Sequence, residues 1–184
     1  MVFGKTVPDI SLNSPANLGY ASCKFIQPVY VGDTIKTTSK VLGVKENSNK
    51  KTGIVWVNST GKNQKNEVVL DYIRWVMVNK KDESSPAPET VIPELKDKVS
   101  IEDITIPKKL NMSKYDFDES GSKYLWDDYQ IGEKIDHIDG MTVEEADHMT
   151  ATRLYQNTAK VHFNEHTEKE GRLGRRIIYG GHII

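Results

Sequence analysis

Runs of β-branched and aromatic residues, separated by short polar stretches, dominate the first 79 residues. Residues 33–45 alternate, with Ile35, Thr37 and Ser39 set against Thr34, Lys36, Thr38 and Lys40, the period-two pattern of a strand. Residues 52–61 and 66–79 carry IVWVNST and EVVLDYIRWVMVN, whose Val, Ile, Tyr and Trp favour strands over helix. Residues 19–30 complete a set of four. The connections, Gly32-Asp33, 45–53 and 61–66, are built from turn-forming residues. Four strands on short polar turns predict a curved antiparallel meander. Residues 1–7, ahead of Pro8, pattern as the last turns of a helix.

The pattern changes after residue 79. KKDESSPAP (80–88) opens a charged, proline-containing stretch, so 80–122 is expected to cross the surface as a linker. Apolar patterning resumes at Lys123, which sets the expected organisation as 1–79, linker 80–122 and 123–184. Thr142 and Glu145 have the spacing of a capping box, with Val143, Ala146, Thr150 and Leu154 on one face of the helix it would start. Residues 177–179 read as a short strand, ended by Gly180-Gly181, where a second helix is expected to begin.

Composition narrows the function classes. Lys+Arg 25 against Asp+Glu 26 leaves a net charge of −1, so no global field favours nucleic acid or an anionic membrane. No apolar run is long enough to span a bilayer. Cys23 is the only cysteine, which excludes an intramolecular disulfide and predicts a cytoplasmic protein; in its strand it reads as a small buried hydrophobe. Trp56, Trp75 and Trp126 are expected in the core or on a sheet face.

Histidine is confined to the last third, as His137, His148, His162, His166 and His182, so proton chemistry is expected there. In YQNTAKVHF (155–163), Asn157 precedes His162 by five residues. A turn at 157–159 could converge the two on a water; otherwise they are a capping Asn and a surface His. His162 and His166 are four apart, but no helix or third ligand supports a metal site.

Several blocks are worded like a known family. KENSNKKTG (45–53), LDYIRWVMV (70–78), DGMTVEEADHMTATRLYQNTAKVHF (139–163) and YGGHII (179–184) resemble the MaoC-like hydratases, a hotdog-fold family. Residues 1–79 resemble the C-terminal half of one hotdog domain and 123–184 the N-terminal half of a second, MaoC-like one. The resemblance implies an α+β hotdog fold, an antiparallel sheet around a central helix, with this chain the central fragment of a two-hotdog protein. Half-units lacking their complements imply that the isolated chain associates, as a homo-oligomer, or is poorly stable.

The activity implied is that of a hydro-lyase. It reversibly hydrates a short branched enoyl-CoA, mesaconyl-CoA giving β-methylmalyl-CoA, with the acyl-CoA as substrate and no metal or other cofactor. By the resemblance His162 is catalytic and Gly180 and Gly181 supply oxyanion donors. Asn157 stands where the broad family usually has aspartate, and Ala159 where it has asparagine. A carboxamide orients water but cannot take its proton, so acid/base work falls on His162 or a neighbour such as Glu165. Arg175 and Arg176, beside the glycine pair, could reach the CoA phosphates. The alternatives are a non-catalytic hotdog module for acyl-CoA binding or assembly, or an acyl-CoA thioesterase, which would use a carboxylate on the central helix.

Overall fold

The structure, a computed structural model, describes residues 1–106, 111–121 and 124–184; the boundary expected at Lys123 lies outside the described residues. Two compact units are present. The larger joins Met1–Thr105 to Val143–Ile184, and the smaller is Ile106–Thr142.

Four strands form the larger unit's sheet: β1 (Ala16–Phe25), β2 (Lys36–Glu46), β3 (Thr52–Lys62) and β4 (Val68–Asn79). All pairings are antiparallel, in the order β1-β4-β3-β2. The β2-β3-β4 part is the expected meander. β1 corrects the rest, because it pairs with β4 at the far edge and not with β2. Pro28 withholds an N–H from any continued β1–β2 ladder. Residues 26–35 readily span the roughly 14 Å that three strand spacings require.

Asparagines close both tight turns. Asn63 Oδ1 accepts the amides of Lys65 and Glu67, each at 3.0 Å, and Asn49 Oδ1 accepts those of Lys51 and Thr52. Short polar side chains that bond local backbone are what turns select.

One face of the sheet carries α1 (Val2–Thr6), prolonged past Pro8 by a π-helical turn, Val7–Ser11. The helix thus runs beyond the stop expected at the proline, which sits in the first positions of the new turn, where its missing N–H matters least. Val2, Thr6, Val7 and Ser11 are buried with Val57, Tyr72 and Val76 of the sheet. Arg74, wholly buried on β4, ties the two layers together. Its guanidinium donates to Thr6 Oγ1 (2.9 Å) and Ser11 Oγ (3.2 Å) and lies 4.7 Å over the Phe3 ring. No carboxylate pairs with it among the described residues, its Nε is without a partner, and burial pushes its pKa down.

Cys23 is exposed, not buried. The ladder slips between Ala21 and Lys24, and Ser22 sits at φ 51°, so Cys23 leaves the alternation that would have pointed it inward. Trp56 is buried and faces Trp75 across the β3–β4 ladder, as expected. Trp126 is not in a core: it is 90% exposed. It belongs to the smaller unit, whose described residues are all exposed and show as regular structure two short 3-10 turns, Met112–Lys114 and Trp126–Asp128. Residues 80–105 stay with the sheet, where Val91 donates to the Val44 carbonyl and Asp103 pairs with Lys24 at 3.0 Å.

α2 (Glu145–Leu154) also departs from expectation. Its N-cap is Glu144, with no side-chain cap bond, so Thr142 and Glu145 form no capping box. Its buried residues are His148 and Thr152, while Val143 and Leu154 are exposed. On that polar face His148 accepts the Tyr179 amide, and Thr152 donates to Met149 O of its own helix. Residues 177–179 join no strand, and Gly180–His182 forms a 3-10 turn where a helix was expected. Among the described residues no helix is long and apolar enough to cross a membrane.

Candidate active site

The chain breaks after α2 where the sequence suggested. Gln156 takes φ 59°, and Asn157, 2% exposed, donates its amide to the Thr152 carbonyl at 2.9 Å. Asn157 Oδ1 accepts the Ala159 amide at 3.3 Å, which starts α3 (Lys160–Phe163). The segment docks on α1 and the π turn. The Lys160 amide donates to Leu12 O, and a Cβ on Gly4 would run into the Tyr155 carbonyl, so only glycine permits the approach.

His162 rides on α3, half-buried. Its Nδ1 lies 3.0 Å from Ile177 O. A carbonyl only accepts, so Nδ1 carries the proton and Nε2 keeps its lone pair. Burial lowers the His162 pKa, opposed by the Ile177 bond and by Glu168. The result is a neutral imidazole with a free basic nitrogen. Asn157 and His162 share the turn but no hydrogen bond joins their side chains.

The neighbours of His162 are other rings. Tyr179 lies 5.6 Å and His148 6.4 Å from it, centroid to centroid, and His182 lies 6.0 Å from His148. His148 is 1% exposed, and its Nε2 accepts the Tyr179 amide at 2.9 Å. Gly180 and Gly181 follow directly in the 3-10 turn. Tyr179 and Gly181, with Phe3, Gly4 and Tyr155, line a cavity of about 230 Å³. A larger cavity, about 650 Å³, lies on the sheet among Lys24, Lys62, Asp71 and Asp103, and no residue of the histidine-bearing segment lines it. No histidine lines the smaller cavity; Tyr179, whose ring lies beside His162, is what joins it to the histidine cluster.

The remaining candidates separate. Arg176 pairs with Glu145 (3.6 Å) and Glu165 (3.8 Å), whereas Arg175 is exposed. His166, on α4 (Glu165–Glu168), is exposed, as is His137. Among the described residues no group of three or more His, Cys, Asp and Glu could hold a metal ion. Sequence reasoning gave His148 and Tyr179 no role. The signal for His148 was its i, i+4 spacing with Thr152, one face of α2.

Residues 1–63 match the family described as MaoC like domain, a stretch that ends before the histidines. The chain is 64% identical over 184 residues to a Chloroflexus aurantiacus beta-methylmalyl-CoA dehydratase, all of this chain and 52% of that protein. It is 55% identical over the same length to a Cereibacter sphaeroides mesaconyl-CoA hydratase, covering 53% of it. The chain therefore spans about half the length of the curated relatives it matches. A crystal structure of a putative MaoC domain dehydratase from Chloroflexus aurantiacus superposes with a TM-score of 0.90 at 64% identity, over 99% of this chain and 52% of that one. A Mycobacterium tuberculosis protein with a double hotdog fold superposes at 0.56 with 22% identity, over 98% of this chain and 53% of that one. The antiparallel sheet with its helices is the α+β hotdog arrangement.

Proposed function

We propose, on the premise that this chain carries a MaoC-like hotdog domain, that it serves a hydro-lyase reaction. Water adds reversibly across the α,β double bond of a short branched enoyl-CoA, mesaconyl-CoA giving β-methylmalyl-CoA. The observation that carries this is the 64% identity to a beta-methylmalyl-CoA dehydratase along every residue of the chain.

The thioester makes the β-carbon electrophilic, and negative charge develops on its oxygen as water attacks. Amide donors at Gly180 and Gly181 would receive that charge, a contribution often worth a few kcal/mol. His162 Nε2, unprotonated, would take the water proton as the C–O bond forms and pass it to the α-carbon of the enolate, with the same steps reversed in dehydration. Asn157 holds the turn that presents His162 and, as a neutral carboxamide, would orient the water. Arg175, exposed, is available to a CoA phosphate; Arg176 would have to leave its two glutamates. The same proposal takes 1–79 and 123–184 as halves of two hotdog units joined by 80–122, in a cytoplasmic homo-oligomer. Loss of the thioester-conjugated enone absorbance on incubation with mesaconyl-CoA is the direct test. Its persistence with active-site-intact protein would overturn the hydratase assignment.

A further inference from the structure

His148 is the most buried titratable group in the histidine-bearing segment, and the chemistry above makes no use of it. Its Nε2 accepts an amide N–H, so that nitrogen is unprotonated and the ring is the neutral Nδ1–H tautomer. His162 has its Nδ1 engaged at the other end of the same short stretch, by the Ile177 carbonyl. Residues 177–179 are thus pinned twice: at Ile177 by α3, through His162 and the Ile177 amide to Val161 O at 2.9 Å, and at Tyr179 by α2, through His148. No strand ladder holds this stretch. Gly180 and Gly181 follow directly after the second pin, with the Tyr179 ring stacked on Phe3 at 6.5 Å.

We propose that His148 is a positioning residue for the hydration chemistry: its neutral imidazole clamps the Tyr179 amide and so sets the Gly180-Gly181 turn against His162. This rests on the hydratase reading. The clamp is specific to one protonation state. A protonated His148 would turn Nε2 from acceptor to donor, facing another donor, and the turn would be released. The groups around it favour the neutral form. Burial lowers its pKa most, followed by His162 on α3, Arg176 and His182 in the 3-10 turn, with Glu145 on its own helix acting the other way. The clamp is closed at neutral pH and opens on acidification.

Glutamine supplies an acceptor at the same reach and cannot be protonated, so it separates clamping from proton transfer. In the full chain, His148→Ala should lower kcat for mesaconyl-CoA hydration about 100-fold with little change in KM, and speed hydrogen exchange of the Tyr179 amide. His148→Gln should return kcat to within about tenfold of wild type, slow Tyr179 exchange again, and extend the acid limb of the kcat profile to lower pH. An alanine variant with wild-type kcat, or a folded glutamine variant no better than alanine, would overturn the proposal. Histidine ring ¹⁵N spectra of the same chain test it without turnover, and a protonated Nε2 at neutral pH would also overturn it. If wild type fails to hydrate mesaconyl-CoA, the hydratase reading fails while the clamp is judged by exchange and spectra alone.

Discussion

The sheet and the histidine-bearing segment belong to one compact unit, yet different forces hold them. The sheet rests on long ladders and on buried Val57, Val69, Tyr72 and Val76. The segment buries His148, Thr152 and Asn157, all polar, and is fastened by scattered single bonds, some from side chain to backbone and some from backbone to backbone. A ladder shares any local loss among many neighbours. A lone bond worth about 0.5–1.5 kcal/mol has no substitute nearby. Stability should therefore be robust in the sheet, and function fragile in the segment.

The sharpest break of that contrast is at His162. His162→Ala should cut hydration of mesaconyl-CoA by about 10²–10⁴-fold with a nearly unchanged denaturation midpoint, measured by steady-state kinetics and urea titration. His166→Ala, four residues on and exposed, should leave both alone. Equal losses in the two variants would remove the assigned base.

Arg74 is the exception inside the sheet, a buried charge held by hydroxyls. Arg74→Lys should destabilise by about 3 kcal/mol, because an ammonium cannot fork to Thr6 and Ser11 and is more strongly hydrated. Arg74→Met should cost less, since it removes the charge along with the bonds. The opposite order in denaturant melts would show that an unseen counter-charge holds the guanidinium. Next in size is Gly4→Ala, whose methyl meets the Tyr155 carbonyl. It should cost about 1–3 kcal/mol by overpacking and disturb the docking of the 155–163 segment.

Stability should also depend on pH through the segment. The folded pKa values of His148 and His162 both lie below the ordinary value, chiefly from burial. The unfolded chain then binds more protons, so stability is full above about pH 6.5 and falls as the pH drops below it. A urea midpoint lower at about pH 5.5 than at about pH 7.5, with the difference reduced in His148→Gln, is the expected result. The smallest effect is at Asn157. Asn157→Asp should raise the His162 pKa by placing a carboxylate on the same turn and shift the pH–rate profile upward. Coincident profiles would leave Asn157 as a turn residue only.

The sequence by itself determined the strands, their turns and the break at Asn157. β-branched runs and Asn-rich connections act over a few residues, and the 63–67 turn is closed by the very asparagine that marks it. It also confined the histidines, and with them the proposed proton chemistry, to the last third, because histidine is absent from the first 136 residues. Tertiary structure decided what depends on distant partners. The choice of β4 as the neighbour of β1, the exposure of Cys23 at a ladder slip, and the polar buried face of α2 each follow from contacts that no local pattern encodes. The same holds for His148: its role arises only when residues 177–179 come to lie between two helices. Local periodicity can write a strand, but a hydrogen bond between residues 31 apart exists only after folding has brought them together.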